Sequence, residues 1–376
     1  IEDYVKQMKE IQNLILSIID NQNEDHDNFK LFSDFLDMPN FGKNQEIITE
    51  ILHFLLKLAK NHHRQPYFST KIEQILKFLE DKIKQIYSNH DIFNIFKKHK
   101  LILFLSLKNK IIEIDQFIID TILESNDKKF IQYFYPEIKE FINDEKIKNI
   151  EEKLLENNPN IFSNFEKKQL EGENDSHICE MIRNDSVEEF IAYVNRLNIS
   201  LSSKINQSIF ETNSFLLKNE PTLIEYSTFY GSIQIFQYLK FSKVELKPSL
   251  WFYAIHSNNA ELIHILEENN VKPDDLSFEE CLEESIKCHH NEIAEYILNN
   301  KIDQNNMQYN IKNKYNENIF NYSFHFNNYK FFPTDFDDIF CFCYACQYNY
   351  ITLVSLLLNT YNFDINTKII FKSNIF

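Results

Sequence analysis

The chain has 376 residues, of which 43% are hydrophobic and 15% aromatic, and it carries a formal net charge of −17. This apolar content excludes disorder of the low-hydrophobicity kind. The negative charge disfavours nucleic-acid binding, since no dense stripe of lysine and arginine offsets it. With only 3 glycines and 8 prolines, turn residues are too scarce for an all-β fold. We therefore expect a folded, all-α protein that does not bind nucleic acid.

The distribution of cysteines indicates a reducing compartment, and hydropathy indicates that no segment spans a membrane. Six cysteines are scattered over positions 179 to 346, unlike a disulfide scaffold. The longest apolar run, LILFLSL at 101–107, is shorter than the ~20 residues of a membrane span. The N-terminus lacks the basic and apolar regions of a signal peptide, and it begins with Ile1, as expected of a fragment or an unusual gene model. We expect no membrane span and a cytoplasmic location, with the nucleus as the alternative.

Residues 1–170 predict an array of helices without repeats. Segments 46–60 and 71–86 place isoleucine and leucine at three- and four-residue steps, which indicates one apolar face on each helix. Thr70 and Glu73 have capping-box spacing. Such faces are buried against neighbouring helices. We expect this array to pack end to end onto a second unit at 178–376, after a short linker at 171–177.

A pattern of helix, tight turn and helix recurs after the linker. A small polar turn is followed by apolar residues at helical spacing in IRNDSVEEFIAYV, YSTFYGSIQIFQYL, YAIHSNNAELIHIL, ESIKCHHNEIAEYIL and YACQYNYITLVSLLL. The turns fall at 231, 258, 289 and 349, at intervals of 27, 31 and 60. The last interval is near twice a unit of about 30 residues. It predicts a poorer unit in between, around Ser323 and Asn327.

Three turn positions carry residues suited to a left-handed backbone. Gly231 adopts that conformation at least cost, and asparagine, at Asn258 and Asn349, is the next best residue for it. We interpret all three as structural turns rather than as parts of a site.

The second half resembles degenerate ankyrin repeats. TLIEYSTFYGSIQIFQYL at 222–239 follows the pattern Thr-Pro-Leu-His-x-Ala-Ala-x-x-Gly, although Leu223 replaces proline and Glu225 replaces histidine. FDIN at 363–366 is similar to the segment that leads into a further repeat, and 178–269 looks like the uncharacterised ankyrin-associated domain expanded in trichomonad parasites. The resemblance covers about half of the chain and implies an α-solenoid that binds proteins. HEAT or armadillo units of ~40–47 residues fit the spacing less well.

No motif for enzyme chemistry stands out. Glycines at 42, 172 and 231 allow neither a P-loop nor a dinucleotide fingerprint. Zinc binding by the cysteines of CFCYAC, with 288–290 as further ligands, is less favoured than buried thiols, because cysteines on one helix point in different directions. Nothing in the sequence positions Cys288 with His256 or His289 as a nucleophile. The cysteines of CFCYAC are Cys341, Cys343 and Cys346. For the whole chain we expect no catalytic residue, no cofactor and no metal.

One segment is unusually acidic. Residues 261–303 contain 12 acidic and 3 basic residues, a net charge of −9. Solvation of helix faces is the plain explanation, and a recognition surface for a basic protein is the alternative. The candidate residues are Glu267, Glu268, Asp274, Asp275, Glu279, Glu280, Glu283 and Glu284.

Together these patterns predict a non-catalytic scaffold or adaptor that binds one or more proteins, with a basic partner as the alternative that the acidic segment offers. The first alternative is an enzyme with an unrecognised site in the N-terminal array, where the repeats only recruit substrate. A purely structural spacer is the second. The chain ends in FDINTKIIFKSNIF, which we expect to form a partial cap over the last repeat, because that repeat has no successor to cover its apolar side.

Overall fold

The computed structural model describes residues 1–21, 26–38, 45–302, 309–333 and 339–361. Within these ranges the chain forms α-helices and two short 3-10 helices and no β-strand, which confirms the predicted all-α class. An isolated antiparallel bridge joins Lys204 and Thr222. The apolar tail at 362–376, with its predicted capping role, lies outside the described residues.

The N-terminal array contains eleven α-helices among the described residues, followed by the non-helical segment at 172–176. They are α1 (Glu2–Asp20), α2 (His26–Leu36), α3 (Gln45–Asn61), α4 (Phe68–Ile86), α5 (Asn89–Phe96), α6 (Lys100–Lys108), α7 (Gln116–Leu123), α8 (Lys128–Tyr133), α9 (Tyr135–Ile138), α10 (Asp144–Asn157) and α11 (Phe165–Glu171), with a 3-10 helix at Lys139–Phe141.

The predicted capping box at the start of α4 is wrong. The helix begins at Phe68, so Thr70 already lies inside its first turn. The Glu73 carboxylate instead accepts a hydrogen bond from Asn109 Nδ2 at 3.0 Å and pairs with Lys77 at 3.1 Å. The Glu73 side chain, which the spacing assigned to the helix cap, therefore binds Asn109 of another segment instead.

The second half of the chain is organised in helix pairs. The first helices of successive pairs pack side by side in chain order, from α12 through α15, α17, α19 and α21 to α22. The helices are α12 (His177–Arg183), α13 (Val187–Arg196), α14 (Ser214–Asn219), α15 (Leu223–Phe229), α16 (Ile233–Phe241), α17 (Leu250–Ser257), α18 (Ala260–Glu268), α19 (Glu279–Cys288), α20 (Asn291–Asn300), α21 (Tyr309–Phe326), α22 (Ile339–Gln347) and α23 (Ile351–Thr360), with a 3-10 helix at Tyr329–Phe331.

The turns within the pairs share one backbone geometry. The angle φ is +70° at Gly231, 52° at Asn258 and 63° at Asn349, and it is also positive at His289 and Asn327. In five pairs the N–H group after the turn donates to a carbonyl five residues earlier, which closes the helix end in the manner of a Schellman motif. These bonds run from Ser186 to Met181 at 3.0 Å, Ser232 to Ser227 at 2.9 Å, His290 to Ser285 at 3.1 Å, Asn328 to Ser323 at 2.8 Å and Tyr350 to Ala345 at 2.9 Å.

Replacing Gly231 with alanine should destabilise the protein by about 1 kcal/mol. A left-handed backbone costs an L-residue ~1–2 kcal/mol, and the lower entropy of the unfolded chain offsets part of that cost. A Cβ at this position would also lie 3.3 Å from Asn259 Nδ2. Urea denaturation followed by circular dichroism measures the change. The reciprocal variant Asn258→Gly should stay within ~0.5 kcal/mol of wild type, and an equal loss in both variants would contradict the explanation.

The helices enclose two hydrophobic cores, and the first joins both ends of the described chain. Buried residues of α1 to α9 share this core with Phe324, Tyr329 and Leu357 of the last helices. The second core runs from Cys179 to Ile302. The prediction of end-to-end packing is therefore wrong: α3 lies alongside the helix pairs and packs against α14, α19 and α23, because it has more than one apolar face to bury.

Candidate functional site

The acidic residues chosen from the sequence fall into two groups. Glu267 pairs with Lys301, and Glu284 accepts hydrogen bonds from Lys287 Nζ at 2.7 and 2.9 Å. These two carboxylates are neutralised within the protein and do not belong to a free acidic surface. Among the described residues, no lysine or arginine forms an ion pair with the other six, which are Glu268, Asp274, Asp275, Glu279, Glu280 and Glu283.

The remaining carboxylates lie on the loop 269–278 between α18 and α19 and on the helix residues next to it, and the loop carries an exposed leucine. Leu276 is 68% exposed and has a positive φ of 52°. Trp251 of α17 holds both ends of the loop. Its Nε1 donates to the carbonyl of Val271 at 2.9 Å, and the indole ring meets the Phe278 ring edge-on. Asp275 accepts the backbone N–H of Glu280 at 3.4 Å. The fold thus holds an apolar tip next to negative charge.

The three cysteines of CFCYAC lie on α22, and none belongs to a group of three possible metal ligands within the described ranges. Two such groups occur elsewhere, one around Cys288 and one around His290. The zinc site considered from the sequence, made of CFCYAC and 288–290, therefore combines residues that the fold does not bring into one group of ligands.

The first group places His256 between Glu284 and Cys288. His256 Nε2 lies 2.7 Å from Glu284 Oε1, and Cys288 Sγ lies 3.5 Å from His256 Nδ1. The His256 ring stacks on Phe215 at a centroid distance of 4.1 Å. This brings together the pair for which the sequence offered no positioning. The spacing resembles that of a thiol, a base and an orienting carboxylate.

Burial argues against nucleophilic chemistry at this group. Cys288 and His256 are completely buried, and burial, followed by the charge of Glu284, raises the pKa of the Cys288 thiol well above its usual range. A reactive cysteine needs an accessible thiolate with a low pKa. The group is better explained as a polar contact that joins α17 to α19.

The second group is a buried histidine cluster, His62, His63 and His290, at the junction of the two halves. His62 and His63 follow the end of α3, and His290 lies in the turn between α19 and α20. The ring centroids are separated by 4.3 Å for His62 and His63 and by 5.0 Å for each of the other two pairs. Each ring exposes less than a tenth of its surface.

Backbone carbonyls fix two of these rings. His62 Nδ1 lies 2.8 Å from the carbonyl oxygen of Cys288, and His290 Nδ1 lies 2.7 Å from that of Ile255. A carbonyl only accepts, so both Nδ1 atoms carry the proton. Burial lowers the pKa of His290 well below its usual range, so the neutral ring turns the lone pair of Nε2 toward His63 Nδ1 at 3.0 Å.

Asp20, at the end of α1, closes the cluster on its open side. Its Oδ1 lies 2.9 Å from His62 Nε2 and 3.5 Å from His63 Nε2. Because His62 Nδ1 donates to the Cys288 carbonyl, Nε2 is the nitrogen that faces the Asp20 carboxylate. Burial lowers the pKa of His63 to about 3, with a further contribution from His62. The cluster thus places imidazole nitrogens next to one carboxylate.

No protein-family model, no curated protein and no solved structure matches the chain. In the described ranges, none of the helices combines the length and apolar character needed to cross a bilayer.

Proposed function

We propose that the protein is a non-catalytic interaction scaffold that binds a basic segment of a partner protein. The observation that carries this proposal is the group of carboxylates without lysine or arginine partners on and beside the loop that contains Leu276, which we call the acidic loop surface. We define this surface as Glu268, Asp274, Asp275, Glu279, Glu280 and Glu283. A segment of lysine or arginine with one apolar residue would complement both the charge and the exposed leucine.

Crowding of like charges favours a cationic ligand at this surface. Burial raises the pKa of Glu283, and the nearby Glu284 and Glu280 raise it further. The acidic residues of α19 also contribute to the raised pKa of Tyr322 on α21, after burial. A cation that reached this surface would relieve the repulsion, whereas an anionic partner would increase it.

The helix pairs supply the rigid support for this surface. In the proposal they form an ankyrin-like solenoid inside the cell, whose stacked first helices position the connecting loops. Trp251 holds loop 269–278 in place before a partner arrives, and such preorganisation lowers the entropic cost of binding.

Reversing three charges on the acidic loop surface should remove the partner. We expect Asp274→Lys, Glu279→Lys and Glu280→Lys in one chain to reduce proximity labelling of the basic partner at least about tenfold, because like charges across an interface cost several kcal/mol. Labelling in the native cell, with mass spectrometry of wild type and variant in parallel, measures the loss. Binding of the partner so identified should weaken as salt is raised.

A matched variant separates this surface from general charge effects. Glu180, Glu188 and Glu189 are exposed acidic residues of α12 and α13, and their replacement by lysine changes the net charge by the same amount. Labelling of the partner should survive in this control. Equal losses in both triple variants, or no loss in either, would contradict a site at loop 269–278.

The enzyme alternative has less support from the geometry. Its site would lie in the N-terminal array, whereas the group with the spacing of a nucleophile, His256 with Cys288, lies in the second half and is completely buried. Cavities of about 460 and 510 Å³ border the array, at Lys100 and Asp127 and at Tyr135 and Phe162, and neither has a histidine or a cysteine in its lining. The scaffold proposal therefore rests on exposed and half-buried carboxylates, whereas the buried thiol offers no access to a substrate.

A further inference from the structure

We propose that the histidine cluster binds a zinc ion, with His62 Nε2, His63 Nδ1 and His290 Nε2 as ligands and Asp20 beside the fourth position. The proposal concerns a structural ion at the junction of the two halves and is independent of the acidic loop surface. Nitrogen donors with a nearby carboxylate are a common ligand set for Zn²⁺ in proteins.

The spacing of the donor atoms suits a single ion. Two nitrogens bound at ~2.0–2.1 Å to a tetrahedral Zn²⁺ lie about 3.3 Å apart. His63 Nδ1 and His290 Nε2 are separated by 3.0 Å, and one ligand atom from each of the three histidines lies within 4.8 Å of the others. Only small side-chain adjustments would be needed to enclose an ion.

The hydrogen bonds behind the rings have the arrangement found in metal sites. A ligating histidine usually donates its other N–H to a carbonyl or carboxylate, which fixes the tautomer and orients the ring. His62 and His290 already do so, through the carbonyls of Cys288 and Ile255. For His63, Gln65 lies 2.8 Å from Nε2, and rotation of its amide would supply the acceptor.

Charge balance also favours an ion. The Asp20 carboxylate lies 2.9 Å from His62 Nε2 and 3.5 Å from His63 Nε2, so an anionic oxygen would stand beside an ion held by these rings. Zinc would bind neutral imidazoles, His62 with its proton on Nδ1 and His63 with its proton on Nε2, and any proton displaced by the ion would pass to solvent water. The Asp20 side chain is 39% exposed, so this side of the cluster is the one nearest to solvent.

Such an ion would link the end of α3 to the turn between α19 and α20. His62 and His63 belong to the N-terminal array, and His290 lies 227 residues further along the chain. Zinc would therefore stabilise the contact between the two halves rather than either half alone. Metal binding of this kind contributes directly to the free energy of folding.

The test uses the full chain, purified without a histidine tag and stripped with a chelator. We expect one equivalent of Zn²⁺ by calorimetry, with an apparent Kd of about 50 nM or tighter, and a Tm that rises by a few degrees with excess zinc. His63→Asn and His290→Asn should each weaken binding at least ~100-fold, and Asp20→Asn should weaken it about 10-fold.

Two control variants keep the result specific. His289→Asn changes the buried histidine that precedes His290; its backbone is left-handed, a conformation that asparagine tolerates. His264→Gln changes an exposed histidine. Both should retain full zinc affinity. Binding weaker than about 1 μM in wild type, or a folded His290→Asn protein with unchanged affinity, would overturn the assignment.

Cobalt supplies a measurement that does not depend on variants that fold. Co²⁺ in the cluster should give the intense visible absorption of a four-coordinate nitrogen and oxygen site. A sulfur-to-cobalt charge-transfer band would instead place the ion at Cys288, with His256 and Glu284, and would refute the proposal. The weak spectrum of six-coordinate Co²⁺ would refute it as well.

Discussion

Replacing Phe324 with alanine should destabilise the protein by about 3–5 kcal/mol, the usual cost of removing a buried phenylalanine. Phe324 is 1% exposed and stacks on Phe332 with ring centroids 4.4 Å apart, while Tyr350 meets it edge-on. Because this core also contains residues of α1 and α3, hydrogen exchange should increase in those helices as well as in α21 to α23. Native-state exchange with mass spectrometry measures both regions.

Trp251→Ala is the matched variant in the second core. Trp251 is 1% exposed and packs with residues of α15 to α19, so its removal should cost a similar free energy but increase exchange first in those helices. If Phe324→Ala loosened α21 to α23 and left α1 and α3 unchanged, the two ends of the chain would not form one cooperative core.

Local features of the fold could be predicted from the sequence, whereas the partners of each helix could not. The turn at Gly231 depends on residues within one helix end, so the pattern around it is readable. The turn at Asn327, in the poorer unit predicted around Ser323 and Asn327, is readable for the same reason. An apolar face on α3 predicts burial but not what covers it, because periodicity contains no information on contacts with α19 or α23, more than 200 residues away.

The same division applies to the candidate sites. The pairing of Glu284 with Lys287 spans three residues of one helix, and its spacing alone could have removed Glu284 from the acidic set. Glu267 and Lys301 lie on different helices, so no local rule connects them. The histidine cluster joins a His-His step after α3 to the repeat turn at His290. Only the packing of the two halves brings these residues together.

Glu50 on α3 makes the contact between the two halves sensitive to pH. It is 8% exposed and accepts hydrogen bonds from Tyr4 of α1, at 2.5 Å, and from Tyr329 of the 3-10 helix. Burial raises the pKa of its carboxyl to about 7, against the lowering effect of both tyrosines, and Glu46 adds to the rise. The folded state therefore binds this proton more tightly than the unfolded chain, in which the pKa is about 4.5.

Glu50→Gln should consequently stabilise the protein by ~2–3 kcal/mol at pH 8 and leave it almost unchanged at pH 4.5. In wild type, this residue's contribution to stability falls as pH rises from about 4.5 to about 7, because the buried carboxyl must then lose its proton; an amide has none to lose. Urea midpoints across pH 4.5–8 measure the difference. Parallel curves for wild type and Glu50→Gln would mean that Glu50 ionises as it does in water, and that its contact with Tyr4 and Tyr329 is open to solvent.

Glu284→Gln is the opposite case. The bonds from His256 and Lys287 lower the Glu284 pKa to about 2 despite burial. This variant should therefore be less stable than wild type at neutral pH, where the native carboxylate is ionised and paired.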